Sequence, residues 1–259
     1  MNLYEQFKRE SALEIAQQRD DAEFAEKSQG WMNHANRHKY SYHFDWLGRP
    51  IIQYPQDILA MQEIIWQVKP DLIIETGIAH GGSIIFSASM LALLDLFEAI
   101  ETDISFNHRD ARRRVLGIDV DIRAHNQNAI KSHPLAHKID MIQGSSIAPE
   151  VIAQVQEFSK DFSRIMVFLD SNHTHEHVLS ELEAYALLTS VGSYCVVFDT
   201  IIQDLPTLSV HDRPWGPGDN PKTAVWKYLE THPEFEIEKS IQHKLLITVA
   251  PDGYLKRVG

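Results

Sequence analysis

Four apolar runs in this chain each end on an acid. Asp71–Glu75 ends on Glu75, Val115–Asp119 on Asp119, Ile165–Asp170 on Asp170 and Tyr194–Asp199 on Asp199. One acid so placed reads equally well as a helix cap. Four of them, brought to one edge of a sheet, could hydrogen-bond sugar hydroxyls, attract a cationic ligand or hold a hard metal ion.

The turn after the first run reads Glu75-Thr76-Gly77-Ile78-Ala79-His80-Gly81-Gly82-Ser83. Small residues at Gly77, Ala79 and Gly81 let backbone approach a ligand closely, and the last glycines lead into a helix N-terminus at Ser83. Such a turn can also serve close packing alone. The dinucleotide pattern GxGxxG is absent, and Glu75 ahead of the glycines would repel a pyrophosphate. It suits a positively charged ligand, such as the amino group and sulfonium of S-adenosylmethionine. Asp119 follows Glu75 by 44 residues and is placed to accept hydrogen bonds from ribose hydroxyls, with Asp121 as a rival. The polar stretch Asp95–Arg114 between them reads as an insertion on the rim. Gly144-Ser145-Ser146, after the third run, either passes beside an adenine or caps the next helix.

A proton acceptor is available in Asp170-Ser171-Asn172-His173, where His173 stands three residues beyond Asp170. His173 and His177 are four apart and on one helix would share a face, which is zinc-like spacing. The HExxH pattern is absent, since Thr174 follows His173, so one histidine facing the site with the others coating the helix is the better reading. His80 is a further candidate inside the glycine turn, or a surface residue. Trp215, between Pro214 and Pro217, reads as a lid over an acceptor or as a rigid connection.

These residues need a frame. Residues 2–28 predict one charged helix, with Tyr4, Phe7 and Ile15 along a stripe, and residues 1–45 a helical extension. Residues 46–259 form the candidate catalytic domain. Pro55 and Pro70 bound a helix carrying Ile58, Met61, Ile65 and Val68. The apolar runs, with Lys138–Gln143 as another, alternate with helical patterns at Ser83–Leu94, Arg123–Lys131, Ile147–Phe158 and around Val178–Ala186. Glu234–Ile237 and Lys244–Val249 predict two last strands, after a helix over Pro221–Glu230. Strands without polar alternation, each followed by a helix, define an α/β, Rossmann-like fold: a mostly parallel sheet with helices on both faces. In such sheets the ligand lies beyond the carboxyl ends of the strands, where the four acids converge.

Composition narrows the partners. The chain has 259 residues, 44% of them hydrophobic, and a formal net charge of −12. An anionic surface disfavours nucleic acid and anionic lipid, and no run approaches 18 consecutive apolar residues. The single cysteine, Cys195, leaves no internal disulfide and no multi-cysteine metal site. The acids Glu5, Glu10 and Glu14 stand where a signal peptide needs an apolar run, so the expected location is the cytoplasm. The N-terminal helix makes a homo-oligomer the expected assembly.

Several separate stretches, in order, resemble the cephalosporin hydroxylase / rhamnosyl O-methyltransferase family. They are WLGRPIIQYPQDILAMQEIIWQVKPDLIIETGIAHGGS from Trp46, GIDVDIR from Gly117, FLDSNHTHEHV from Phe168, GSYCVVFDT from Gly192, RPWGPGDNP from Arg213 and PDGYLKR from Pro251. The resemblance implies a class I methyltransferase fold: a seven-stranded sheet whose last strand is antiparallel, binding S-adenosylmethionine. It implies methyl transfer to a hydroxyl of a small molecule, a sugar unit or a secondary metabolite. It further implies Mg²⁺ held by Asp170 and Asp199 as metal ligands. Glu75, Gly77, Ala79, Gly81, Ser83, Asp119 and Ser145 would hold the cofactor, with His173 and Asp170 as catalytic residues. This chain departs from the family in one place: two adjacent acids often end the fifth strand, and here the first is Phe198. Two other readings therefore stand beside the first. One is an oxygenase-type hydroxylase with His173, His177 and Asp170 around a redox metal; the other is a cofactor-binding subunit without turnover.

Overall fold

The computed structural model describes residues 2–107, 109, 112–206 and 213–259. The chain enters through helices α1 (Leu3–Asp20) and α2 (Ala22–Arg37), a single turn of tighter helix, and a hairpin of β1 (Phe44–Trp46) and β2 (Arg49–Ile51). The one helix predicted over residues 2–28 is thus two. Asp21 stands between them in extended conformation and accepts a hydrogen bond from Phe24 N at 2.9 Å, so it caps the second helix and ends the first. No residue of α1 is buried, but Gln18 Nε2 donates to the carbonyl oxygens of His243 and Lys244 and ties α1 to the C-terminal region.

Helix α3 (Pro55–Val68), with its proline in the first turn, leads into a seven-stranded sheet. Its strands are β3 (Leu72–Thr76), β4 (Arg114–Asp119), β5 (Ile139–Gln143), β6 (Ile165–Leu169), β7 (Tyr194–Val197), β8 (Phe235–Ile237) and β9 (Tyr254–Arg257), in the spatial order β5-β4-β3-β6-β7-β9-β8. β9 alone runs against its neighbours. Helices α4 (Gly82–Thr102), α5 (Ala124–Lys131), α6 (Pro149–Ser159), α7 (His175–Tyr185), α8 (Pro221–Leu229) and α9 (Lys239–Leu245) supply the cover.

Alternate strand residues face two cores. Ile73, Val115, Met166 and Val196 pack towards α3 and α4, while Leu72, Leu116, Val167 and Cys195 pack towards α6, α7 and α8. Both faces are therefore dry, and the strands read as continuous apolar runs. Helix α4 is long and apolar enough to cross a membrane by length and composition, yet Ile84, Ile85, Phe86, Leu91 and Leu94 are buried in the first of these cores.

Two further sequence expectations are corrected here. The stretch 95–114 is not wholly a rim insertion: α4 continues through Thr102, and Asp95 is buried, paired with Arg113 and with Lys138 Nζ at 2.5 Å. The strand predicted at Lys244–Val249 does not form. Lys244 and Leu245 belong to α9, and the buried Asp57 carboxylate fixes the end of the stretch, accepting from Val249 N at 3.0 Å and from the Thr248 hydroxyl. The last strand lies further on, at Tyr254–Arg257.

Candidate active site

Strand order reverses between β3 and β6, and there the chain ends of β3, β4, β6 and β7 open on a cleft. Two cavities of about 320 and 260 Å³ meet along a ridge made by Gly77 and Ser171, which line both. Gly77 makes that ridge possible. Its φ is +92°, and a Cβ there would lie 2.0 Å from the carbonyl oxygen of Asp170.

The glycine turn is held from outside by residues the sequence reading did not single out. Arg49 Nε and Nη2 donate to the carbonyl oxygen of His80 at 2.9 and 2.5 Å, and Asn126 Nδ2 donates to that of Ala79 at 2.9 Å. Gly82 packs on Pro50, so closely that a Cβ would stand 2.2 Å from its carbonyl oxygen. Arg49 and Pro50 belong to β2, which gives the hairpin its purpose. No local signal announced these contacts, since they join residues 31 or more apart.

Asp119 closes the turn from within. Its Oδ2 accepts from Ile78 N at 2.8 Å and Ala79 N at 3.2 Å, and its Oδ1 accepts from Asp121 N at 2.9 Å. Asp121 is exposed beside Arg123, 3.6 Å away. Asp119 also lines the smaller cavity with Ser145, Ser146, Asn172 and His177. Ser83 and Ala79 line the larger one with His80, Asp170, His173 and Asp199.

Glu75 lies deeper than its position in the turn suggested. It is 2% exposed and opens on a cavity of about 10 Å³ below the cleft, with Ser83, Ser87, Gln53 and Asp170. Burial pushes its carboxyl up to about 7, the serine hydroxyls opposing that rise only in part. It does not line either large cavity.

Asp170, His173 and Asp199 converge, each offering one ligand atom within 4.8 Å of the others. His173 Nε2 lies 3.1 Å from Asp199 Oδ2. Burial holds the Asp170 carboxyl well above the usual range, with the negative charges of Asp199, Glu75 and Glu181 adding to the rise. A group of acids in this state is relieved by a cation, and the oxygen-rich set fits Mg²⁺. Asp199 is held with φ 55°, a left-handed conformation rare for aspartate outside turns and sites. The Trp215 ring meets the His173 ring edge-on, with centroids 4.8 Å apart, and the Arg213 guanidinium lies 5.4 Å from the Trp215 centroid.

The histidine pair is not a pair. His173 precedes α7, and His177 within it turns to the other cavity, 3.1 Å from Ser146 Oγ and 3.2 Å from Ser171 Oγ. His173, His177 and Asp170 therefore do not assemble the two-histidine metal site that an oxygenase would need. His175 is spent on structure, with its Nδ1 2.8 Å from Thr223 Oγ1. Phe198 turns into the core against Phe168, centroids 6.2 Å apart.

Sheet order, glycine turn and split cleft define a class I S-adenosylmethionine-dependent methyltransferase. The chain belongs to the family described as rhamnosyl O-methyltransferase/CmcI, whose model matches residues 38–258. It is accordingly an S-adenosylmethionine-dependent O-methyltransferase acting on a hydroxyl of a small molecule. Rhamnosyl O-methyltransferase of Mycobacterium tuberculosis (strain H37Rv) is 28% identical over 204 residues, covering 78% of this chain and 73% of that protein. The Mycobacterium leprae protein of the same name is 27% identical over 217 residues, covering 82% of each. Among solved structures, CmcI with Mg and SAM aligns with TM-score 0.53 at 16% identity, over 84% of this chain and 78% of that one. CalS11, a TDP-rhamnose 3'-O-methyltransferase, aligns with TM-score 0.53 at 17% identity, over 80% and 82%. At such identities these two likenesses speak for the fold.

Proposed function

We propose that the enzyme methylates a hydroxyl of a glycosyl unit, with Mg²⁺ assistance and His173 as the base. The observation that carries this is the meeting of Asp170, His173 and Asp199 at the head of the Gly77–Ser171 ridge. The names of the mycobacterial relatives support the sugar acceptor.

When bound, S-adenosylmethionine supplies the methyl group and the cation lowers the acceptor's pKa. The rest falls to the chain. Asp119, Ser145 and Gly77 hold the nucleoside side of the cofactor, while Ala79 and Ser83 border its methionine end; Gly81, also expected there, is buried against Ile130 with φ +87° and shapes the turn without lining either cavity. Asp170 and Asp199 hold the cation through oxygen, the ligand type Mg²⁺ prefers, which leaves the His173 imidazole free as base. With Nε2–H donating to Asp199 Oδ2, the acceptor's proton is taken up at His173 Nδ1, and Asp199 stabilises the imidazolium that forms. Trp215 fixes the ring and excludes water from its edge. Ser41, Tyr42 and His80 line the same cavity, and we assign them to the acceptor.

The N-terminal segment thereby enters acceptor recognition. The exposed Leu3, Tyr4 and Phe7 of α1 support a homo-oligomer. The test is formation of S-adenosylhomocysteine with a panel of simple glycosides, with and without Mg²⁺. Turnover of phenolic acceptors with none of any glycoside would overturn the sugar assignment.

A further inference from the structure

The cation centre lacks one acid at Phe198, and the structure offers a different oxygen on the same side. Gln53 comes from the loop between β2 and α3 and is 4% exposed. Its Nε2 donates to Asp170 Oδ2 at 3.1 Å, and its Oε1 is buried with no hydrogen-bond partner. A buried carbonyl oxygen left without a hydrogen bond is unfavourable, and a cation bound here would give it a partner. Gln53 lines the small cavity together with Asp170 and Phe198, and it lines the large cavity together with Asp170 and Asp199. It therefore bridges the space where residue 198 would have presented its acid and the cluster that the acid would have joined.

We propose that Gln53 Oε1 is the third protein oxygen ligand of the cation centre, in place of the acid missing at Phe198. This rests on the cation-assisted reading given above. A half-turn of the amide exchanges its two atoms and lays Oε1 where Nε2 stands, 3.1 Å from Asp170 Oδ2. Adjacent ligands of an octahedral Mg²⁺ with bonds of ~2.1 Å are ~3.0 Å apart, so the spacing of Gln53 and Asp170 already suits two neighbouring ligands. With no cation the amide hydrogen satisfies Asp170; with one, the carbonyl faces the ion. The amide carries no charge, so the ligand set contributes two negative charges where an acid at 198 would have made three. Cation binding at this centre is accordingly weaker than an all-carboxylate set would give.

The experiment uses the full chain and Mn²⁺ as the probe, followed by electron paramagnetic resonance. Gln53→Leu is expected to weaken Mn²⁺ binding about tenfold or more, and Gln53→Glu to tighten it by a similar factor. Protein made with glutamine labelled at the side-chain amide carbon should show a hyperfine coupling to bound Mn²⁺ that Gln53→Glu abolishes. This coupling separates a ligand from a residue that merely hydrogen-bonds Asp170. Thermal melts and S-adenosylmethionine calorimetry on each variant confirm that the fold and the cofactor site persist. A parent with Mn²⁺ bound but no such coupling overturns the proposal. A parent that binds cofactor and methylates its acceptor with no affinity for Mn²⁺ overturns both it and the cation role, while leaving methyl transfer in place.

Discussion

Glu75→Gln should stabilise the protein, and increasingly so as pH rises. Glu75 is fully buried, and its carboxyl is pushed up to about 7 from a reference of 4.5. In the unfolded chain it ionises near the reference value, so between these two pH values the folded state holds the extra proton. Stability then falls as pH rises through that window, and below it the loss is absent. The gap corresponds to about 3 kcal/mol at pH 8, a size that full burial does not screen away. Glutamine keeps the shape, cannot ionise, and still accepts the hydrogen bond from Ser87 Oγ. Urea denaturation of both proteins at pH 5 and pH 8 measures the effect by linear extrapolation. The stability difference between variant and parent should grow by roughly 2.5 kcal/mol between those pH values, since part of the loss has already set in at pH 5. Asp57, pushed up to about 6, gives the same trend in both proteins and cancels in the difference. A difference that stays flat with pH would refute the claim that Glu75 is a buried acid held neutral by its surroundings.

Asp119→Ala should weaken S-adenosylmethionine binding by at least about tenfold in calorimetry, because two amide hydrogens of the glycine turn lose their acceptor and the proposed ribose partner is removed. His173→Asn should lower kcat by roughly 10²–10⁴ while leaving cofactor affinity unchanged, as read from single-turnover and binding measurements. Gly77→Ala should cost at least ~2 kcal/mol in a thermal or urea melt, since a Cβ meets backbone at a φ that disfavours it, and cofactor binding should go with it. Chelation by EDTA should depress turnover and leave calorimetric cofactor binding intact, with activity restored by added Mg²⁺.

The β-α alternation and the four acids at strand ends were legible because each signal is local: an apolar run, a helical period, a carboxylate where the run stops. The glycine turn was legible for the same reason, as was the resemblance carried by separate stretches. Asp170, His173 and Asp199 were singled out individually, and their order along the chain placed them at the correct edge. The failures were also local signals, overruled from a distance. Lys244–Val249 has strand composition, but its first two residues end α9, and Asp57, 191 or more residues away, takes the Thr248 hydroxyl and the Val249 amide hydrogen. Helix α1 ends where Asp21 prefers to cap its neighbour, a contest between two helical readings that periodicity alone does not resolve.

By itself, then, the sequence determined the class of fold, the edge of the sheet at which the acids gather and the residue types found there, since these follow from periodicity and chain order. Tertiary structure decided which atoms face one another. It sank Glu75 beneath the cleft, sent His177 to one cavity and His173 to the other, bound Asp119 to the glycine turn and brought Gln53 onto Asp170 across 117 residues. Side-chain direction at a strand end or in a loop depends on packing against elements far along the chain, and no local pattern encodes it.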